Sequence, residues 1–252
     1  MKVLLSPAKS LDLETQFEFD LKTQLFFFQE ASALMQVLKA KNPSQLSDLM
    51  SISSDLAELN WKRNQQWNLD ELSSNPRPSI FIFKGDVYKG LDIATLPKSK
   101  HLIAQNKLRI LSGLYGILKP FDLVAPYRLE MGTKLEVGSS SNLYEFWGDK
   151  ISQYMIKDLE ASEPLINLAS LEYFKVIKKK MITQPIITPL FKDHKNGQLK
   201  TISFFAKKAR GAMARYIIDQ DIDEVEALKN FSSGGYSFDQ KESTEKNLVF
   251  TR

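Results

Sequence analysis

The segment from Leu111 to Gly132 reads LSGLYGILKPFDLVAPYRLEMG. It holds three glycines, two prolines and only four charged side chains, so it fits neither a regular helix nor a regular strand. Such a segment is either a backbone loop that cradles an anion or a rigid, well-packed turn. A phosphate loop needs a lysine–serine pair and a long following helix, which Pro120 and Pro126 would interrupt. The segment therefore predicts a rigid wall that holds Arg128 and Glu130 toward neighbouring groups.

Outside this wall the sequence predicts a mixed α/β fold in one compact domain spanning residues 1–252. Helical spacing of apolar residues over Ser44–Trp67 predicts a helix, a short turn and a second helix. Asn196-Gly197 predicts a β-hairpin, because both central residues of that turn need positive φ. The only loop-like clusters are short, such as SSNPRPS at Ser73–Ser79. Short apolar runs predict strands at Val3–Leu5, Ile80–Phe83, Leu165–Ala169, Ile186–Phe191, Thr201–Phe205 and Leu248–Phe250.

Composition restricts the possible chemistry. The chain has no cysteine, which excludes disulfides, thiolate metal sites and a cysteine nucleophile. Its two histidines, His101 and His194, are far apart, so we expect no metal and no cofactor, although a carboxylate-only site using Asp12, Asp86 or Glu130 stays open. The N-terminal apolar run is too short for a signal peptide, and no run approaches membrane-spanning length. We therefore expect a cytoplasmic protein without a membrane partner.

The basic residues are concentrated in one block. Residues 172–215 contain eleven lysines or arginines and two acidic residues, whereas residues 216–252 contain four and eight. Such a block steers a polyanion or an anionic substrate toward the surface, although any single lysine in it is more often a solvated surface group.

The basic block ends in a helix whose faces separate by charge. At 100° per residue, one face collects apolar residues and the other collects Lys207, Lys208, Gly211 and Arg215. The missing side chain of Gly211 would let a ligand or a backbone come close. Arg210 falls on the apolar side, so it is either part of an ion pair or a group that lines a pocket.

Lysines follow three of the predicted strands. Lys9 comes after Leu5, Lys84 comes directly after Phe83, and Lys207 and Lys208 come after Phe205. Ligands of open α/β sheets gather outside the carboxyl ends of strands, so adjacent ends would form a basic cleft. For any one lysine alone, a position that merely points into water is the commoner case.

Six stretches together resemble the YaaA family of peroxide-stress proteins. They are LLSPAKSLD (Leu4–Asp12), FKGDVYKGL (Phe83–Leu91), the opening segment, LYEFWGD (Leu143–Asp149), INLASLEYF (Ile166–Phe174) and ISFFAKKARGAMARYII (Ile202–Ile218). The resemblance spans nearly the whole chain. It implies a cytosolic protein that limits free intracellular iron under peroxide stress. It also implies a family-specific fold with a mixed sheet, surrounding helices, a basic cleft, a helix-hairpin-helix-like element and affinity for duplex DNA.

Two segments are candidates for the helix-hairpin-helix element: Ser44–Trp67, which has the better helices, and Lys98–Lys119, which has the glycines. We favour the first. Such elements present backbone N–H groups to phosphates without reading bases.

Two hypotheses for the function follow, and we favour the first, a stress protein that is either non-enzymatic or has a reaction still to be assigned. In it the basic cleft binds double-stranded DNA, mainly the phosphate backbone, through Lys9, Lys84, Arg128, Lys207, Lys208, Arg210 and Arg215. In the second, an enzyme acts on a small anionic, nucleotide-like substrate in the same cleft. There Lys84 or Lys9 holds the substrate charge, Asp86 or Glu130 is the acid or base, and Tyr88 or Tyr115 orients the substrate. Direct iron sequestration ranks third.

Overall fold

The structure is a computed structural model that describes residues 1–68 and 76–252. Positions 73–75 of the predicted Ser73–Ser79 loop lie outside the described residues. The described strands are β1 (Lys2–Leu5), β2 (Ser10–Leu11), β3 (Arg77–Pro78), β4 (Phe83–Lys84), β5 (Leu108–Ser112), β6 (Gly116–Leu118), β7 (Leu123–Val124), β8 (Leu165–Asn167), β9 (Ile186–Lys195), β10 (Gln198–Lys200), β11 (Ser237–Phe238) and β12 (Asn247–Thr251).

Helices surround these strands. The described α-helices are α1 (Phe28–Lys39), α2 (Pro43–Met50), α3 (Ser54–Gln66), α4 (Ser79–Ile82), α5 (Asp86–Leu91), α6 (His101–Lys107), α7 (Leu143–Trp147), α8 (Lys150–Asp158), α9 (Leu171–Phe174) and α10 (Ser203–Asp219). No helix among the described residues is long and apolar enough to cross a membrane.

The large sheet is mixed, with a parallel centre and antiparallel edges. Its order is β11-β12-β9-β8-β1-β5-β6, and β10 pairs with β9 as a hairpin. The neighbours from β12 through β9, β8 and β1 to β5 are parallel. β1 lies inside the sheet, with Val3 paired to Leu108 of β5 on one side and to Ile166 of β8 on the other. The carboxyl ends of β1, β5 and β8 therefore meet at one edge of the sheet, as predicted for a mixed α/β domain.

The opening segment is a packed wall and not a phosphate loop. The Tyr115 hydroxyl donates to the Ala125 carbonyl oxygen (3.1 Å) and accepts a hydrogen bond from the Trp67 indole nitrogen (3.0 Å). The chain crosses itself so closely that a Cβ at Gly113 would overlap the Leu129 carbonyl oxygen. Gly116 has φ +70°, a conformation that favours glycine, and a Cβ there would lie 2.7 Å from the Trp147 ring. These contacts make the segment rigid.

Two glycines allow α5 and α10 to cross in backbone contact. A Cβ at Gly211 of α10 would overlap the Val87 carbonyl oxygen of α5 and lie 2.7 Å from the Leu91 nitrogen. In the reverse direction, a Cβ at Gly90 would overlap the Lys208 carbonyl oxygen. Gly211 is buried, so the face predicted to carry Lys207, Lys208, Gly211 and Arg215 also packs against a helix. The backbone that approaches Gly211 belongs to α5.

Two predicted strands were wrong. Residues 79–82 form the helical turn α4, in which all four side chains are buried, so the sequence shows no period that separates strand from helix. The run Thr201–Phe205 instead begins α10, with Phe204 and Phe205 exposed at its first turn. The other four predicted strands are confirmed. The Asn196-Gly197 hairpin is also confirmed, with φ values of 53° and 74°.

The two helix-hairpin-helix candidates have different structures. α2 and α3 form the predicted pair of helices around a turn whose Ser51 has φ 50°, and Ser53 caps α3 by accepting from the Leu56 nitrogen. The second candidate, Lys98–Lys119, is not a pair of helices. It contains α6 followed by the antiparallel hairpin β5–β6, because the glycines there serve a strand turn.

Candidate functional site

A cavity of about 440 Å³ lies at the carboxyl edge of the sheet. Five parts of the chain line it: residues 6–10 after β1, 84–88 at the start of α5, 127–130 of the wall, four residues after β8 (Leu168, Ser170, Glu172 and Tyr173), and Lys207 and Arg210 of α10. This is where ligands of α/β sheets are usually bound. Its volume falls within the range of small-ligand sites, roughly 300–1,000 Å³.

Hydrogen bonds hold the strand ends that form the cavity floor. The Ser170 backbone nitrogen donates to Ser6 Oγ (2.8 Å), which joins the segment after β8 to the segment after β1. The Tyr88 hydroxyl of α5 donates to the Ser6 carbonyl oxygen (3.1 Å). Three separate parts of the chain are thus tied together at Ser6.

Five basic and three acidic side chains line the cavity. Glu130 is paired on both sides: Lys9 Nζ lies 2.7 Å from its Oε2 and Arg128 Nη2 lies 3.1 Å from its Oε1. Asp86 lies 3.9 Å from Lys89 Nζ. Glu172 accepts a hydrogen bond from the Gly132 nitrogen (3.0 Å) and so closes the wall against α9.

The remaining basic groups make no ion pair with any described residue. Within residues 1–68 and 76–252, Lys84, Lys207 and Lys208 make no ion pair, and all three are exposed. Arg210 makes neither an ion pair nor a hydrogen bond with any described residue, and burial lowers the pKa of its guanidinium. Arg128, which also lines the cavity, has a buried Nε that makes no hydrogen bond with any described residue. Such guanidinium groups favour an anionic ligand, because an anion offsets the cost of removing them from water.

Three phenols line the cavity. Burial raises the pKa of Tyr88, Tyr127 and Tyr173, so all three are neutral at pH 7. The Tyr127 hydroxyl shares a 2.6 Å hydrogen bond with Ser112 Oγ. Neutral phenols offer hydrogen bonds and apolar ring faces to a ligand but no general base.

The structure brings together most of the predicted site residues. Those that line the cavity are Lys9, Lys84, Asp86, Tyr88, Arg128, Glu130, Lys207 and Arg210. Lys208 lies beside them on α10 but outside the lining. Lys84 arrives for a different reason than predicted: β4 pairs with β2, so Ser10 lies opposite Lys84, and neither strand belongs to the large sheet.

Two predicted residues lie away from the cavity. Arg215 contacts Asp219 (2.8 Å) and the Asp92 carbonyl oxygen (2.7 Å), so its guanidinium ties α10 to the end of α5. Tyr115 is buried in the wall and does not line the cavity. Asp12, a candidate for a cation site, accepts backbone hydrogen bonds from Thr15 and Glu14, which lower its pKa, the Thr15 bond most. Among the described residues, no group of three or more His, Cys, Asp or Glu side chains is placed to hold a metal ion.

The sequence reasoning missed Ser170, Glu172 and Tyr173. All three follow β8, which was predicted as a strand, and its carboxyl end is the place where ligand-binding residues are expected. The sequence prediction relied on lysines that follow strands. The residues directly after β8 include no lysine, so this strand end was not predicted to belong to the site.

Comparisons with known proteins agree along the whole chain. A family model described as peroxide stress protein YaaA matches residues 1–242. A UPF0246 protein of Flavobacterium johnsoniae is 52% identical over 252 residues, covering all of both chains. One from Flavobacterium psychrophilum is 50% identical over 252 residues, again covering all of both. One from Aliivibrio fischeri is 51% identical over 254 residues, covering all of this chain and 98% of the relative.

Proposed function

The chain belongs to the peroxide stress protein YaaA family, and we propose that it acts in the cytosol under peroxide stress by binding duplex DNA. The proposed interface is the basic rim, defined as Lys9, Lys84, Lys207 and Lys208 around the cavity mouth. The observation that carries the proposal is that Lys84, Lys207 and Lys208 are exposed and make no ion pair within 4 Å among the described residues, the charge of Lys84 acting only at longer range on Asp12. Lysines in this state are available to replace the counterions of a phosphate backbone.

The chemistry of the rim favours phosphate contacts over base reading. Lysine ammonium groups act as mobile point charges, whereas bases are read by groups that form paired hydrogen bonds in a groove. Lys9 is already 2.7 Å from Glu130, so we expect its share of phosphate binding to be the smallest of the four. Binding by the rim is therefore expected to be largely independent of sequence.

The turn of the α2–α3 pair is a separate candidate for phosphate contact. Its turn carries the N-terminus of α3, where backbone N–H groups and the helix dipole attract phosphate. Asp48 and Asp55 lie close to this turn in sequence and oppose an approaching phosphate. We therefore propose that the α2–α3 hairpin assists the rim and does not replace it.

Neutralising two rim lysines is expected to weaken DNA binding in a salt-dependent manner. In the Lys207→Ala/Lys208→Ala variant, the slope of log affinity against log salt should fall in magnitude by about 2, because two phosphate contacts release about 0.9 counterion each. Fluorescence anisotropy of a labelled duplex at several salt concentrations measures this slope. The matched control is Lys195→Ala/Lys200→Ala on the β9–β10 hairpin, which removes the same charge from exposed positions.

The control should bind DNA with the slope of the unaltered protein. Equal slopes for all three proteins would contradict the assignment of the rim. A loss of slope in the control alone would move the interface to the hairpin.

We further propose that the protein helps to limit free intracellular iron, and thereby oxidative DNA damage, as the resemblance to the family implies. Cells that lack the protein are expected to hold more chelatable iron after peroxide treatment than cells that contain it. Restoration of the normal iron level by the Lys207→Ala/Lys208→Ala variant would separate this role from DNA binding.

A second candidate function is catalysis on a small anionic substrate, which the volume of the cavity favours. Glu130, Asp86, Tyr88 and Lys84 line one space of about 440 Å³, together with the unpaired Arg210. The double ion pair of Glu130 opposes a role as general base, because each of its carboxylate oxygens is already engaged, one by Lys9 and the other by Arg128. Turnover of a nucleotide by the purified protein, lost in Asp86→Asn, would establish this function over simple binding.

A further inference from the structure

The cavity can hold only a small ligand, whereas the basic rim can contact a whole duplex. A duplex, whose grooves alone are about 6 and 12 Å wide, is too broad to enter a cavity of about 440 Å³. A duplex that lies along the rim therefore covers the mouth of the cavity. Only a single nucleotide, turned out of the base stack, is small enough to pass from such a duplex into the interior.

The interior has groups for both parts of a nucleotide. Arg210 lines the cavity without an ion pair or hydrogen bond among the described residues, and Arg128 Nε is buried without a partner there. Either guanidinium suits a phosphate oxygen. The rings of Tyr88, Tyr127 and Tyr173 line the same space and offer flat apolar surface to a base. No inorganic anion would use both features.

An exposed leucine lies between two residues of the cavity lining. Leu171, the first residue of α9, lies between Ser170 and Glu172, both of which line the cavity. Its fractional exposure of 82% is the highest of the exposed large hydrophobic side chains in the described part of the chain. A leucine in this position gains by leaving water, and proteins that open a base stack insert such side chains between bases.

We propose that the cavity receives one nucleotide extruded from bound duplex DNA, and that Leu171 fills the space which this nucleotide leaves in the stack. This inference rests on the duplex binding proposed above. Arg210 contacts the phosphate of the extruded nucleotide, and the three tyrosines surround its base. Leu171 is a positioning residue for the DNA and not a catalytic residue.

The test is a short duplex in which a central 2-aminopurine faces an abasic site, where extrusion costs least. The fluorescence of 2-aminopurine rises when it leaves the stack. We expect saturating protein to raise the fluorescence several-fold. Leu171→Ala should abolish most of that rise while its affinity for the duplex, measured by anisotropy, stays within about twofold, because backbone contacts supply the affinity. Leu102→Ala is the matched control, since Leu102 is 58% exposed on α6, a helix that contributes no residue to the cavity lining, whereas the neighbours of Leu171 on α9 do line it.

The two proposals fail in distinguishable ways. Tight duplex binding without a fluorescence rise overturns extrusion and leaves the basic rim in place. No duplex binding at low salt overturns the rim and extrusion together. A rise that is unchanged in Leu171→Ala overturns the role of that residue. A free nucleoside monophosphate that displaces 2-aminopurine from the cavity, with the duplex still bound, confirms that the site takes a nucleotide.

Discussion

Replacement of Gly211 with alanine is expected to destabilise the protein by more than about 3 kcal/mol, the largest stability change that we predict for one added methyl group. The added Cβ would overlap the Val87 carbonyl oxygen of α5 and lie 2.7 Å from the Leu91 nitrogen. Both are backbone atoms, so no flexible side chain can move aside. The helices must separate, and the residues that start α5 and line the cavity must move with them. Chemical denaturation of Gly211→Ala measures the loss.

The control for Gly211→Ala uses an exposed position of the same helix. At Lys207, alanine should be more stable than glycine by about 1 kcal/mol, which is the ordinary helix preference. At position 211 the order is expected to reverse, with glycine the more stable residue. A Gly211→Ala variant that unfolds at the same or a higher denaturant concentration would show that α5 and α10 do not cross in backbone contact.

Replacement of Arg210 with methionine is expected to change ligand binding and stability in opposite directions. Binding of a nucleoside monophosphate should weaken by about 30-fold or more, because a charged hydrogen bond contributes about 2 kcal/mol or more. Without ligand, the variant should be as stable as the parent or more stable, since methionine removes a half-buried charge that has no acidic partner among the described residues. Calorimetric titration and thermal unfolding measure the two effects.

Arg215→Met is the matched control, because it removes the same charge from the same helix. Arg215 holds Asp219 and the Asp92 carbonyl oxygen, so its loss should lower stability and leave ligand affinity unchanged. Equal ligand affinity in Arg210→Met and the parent protein would show that Arg210 does not face the bound anion.

The sequence predicted correctly that these residues share one site. It predicted less well which strands and helices place them there. Lys9, Lys84 and Lys207 do line one cavity, but only Lys9 follows a strand of the large sheet. Lys84 is placed by a two-residue pairing with Ser10, and Lys207 lies within a helix. A pattern of charges in the sequence indicates that residues share a surface. It carries no information on which local structure brings them there.

Buried elements were the hardest to assign from sequence. In α4 all four side chains are buried, so helix and strand give the same run of apolar letters. The packing around Gly211 was equally hard to predict. The sequence shows that a side chain is absent there, but it does not show that the backbone of α5 occupies the space. The Asn196-Gly197 turn was predicted correctly, because its conformation depends only on these two residues. Both have positive φ, as the prediction required.

The central claim, that the basic rim binds duplex phosphates, is tested most directly by the salt dependence of duplex binding by the unaltered protein. Affinities for two duplexes of unrelated sequence are measured between about 50 and 200 mM salt. With the four rim lysines in contact with phosphate, log affinity should fall against log salt with a slope of about −3 to −4, alike for both sequences. Affinity that does not change with salt, or the absence of binding at the lowest salt, would contradict the claim.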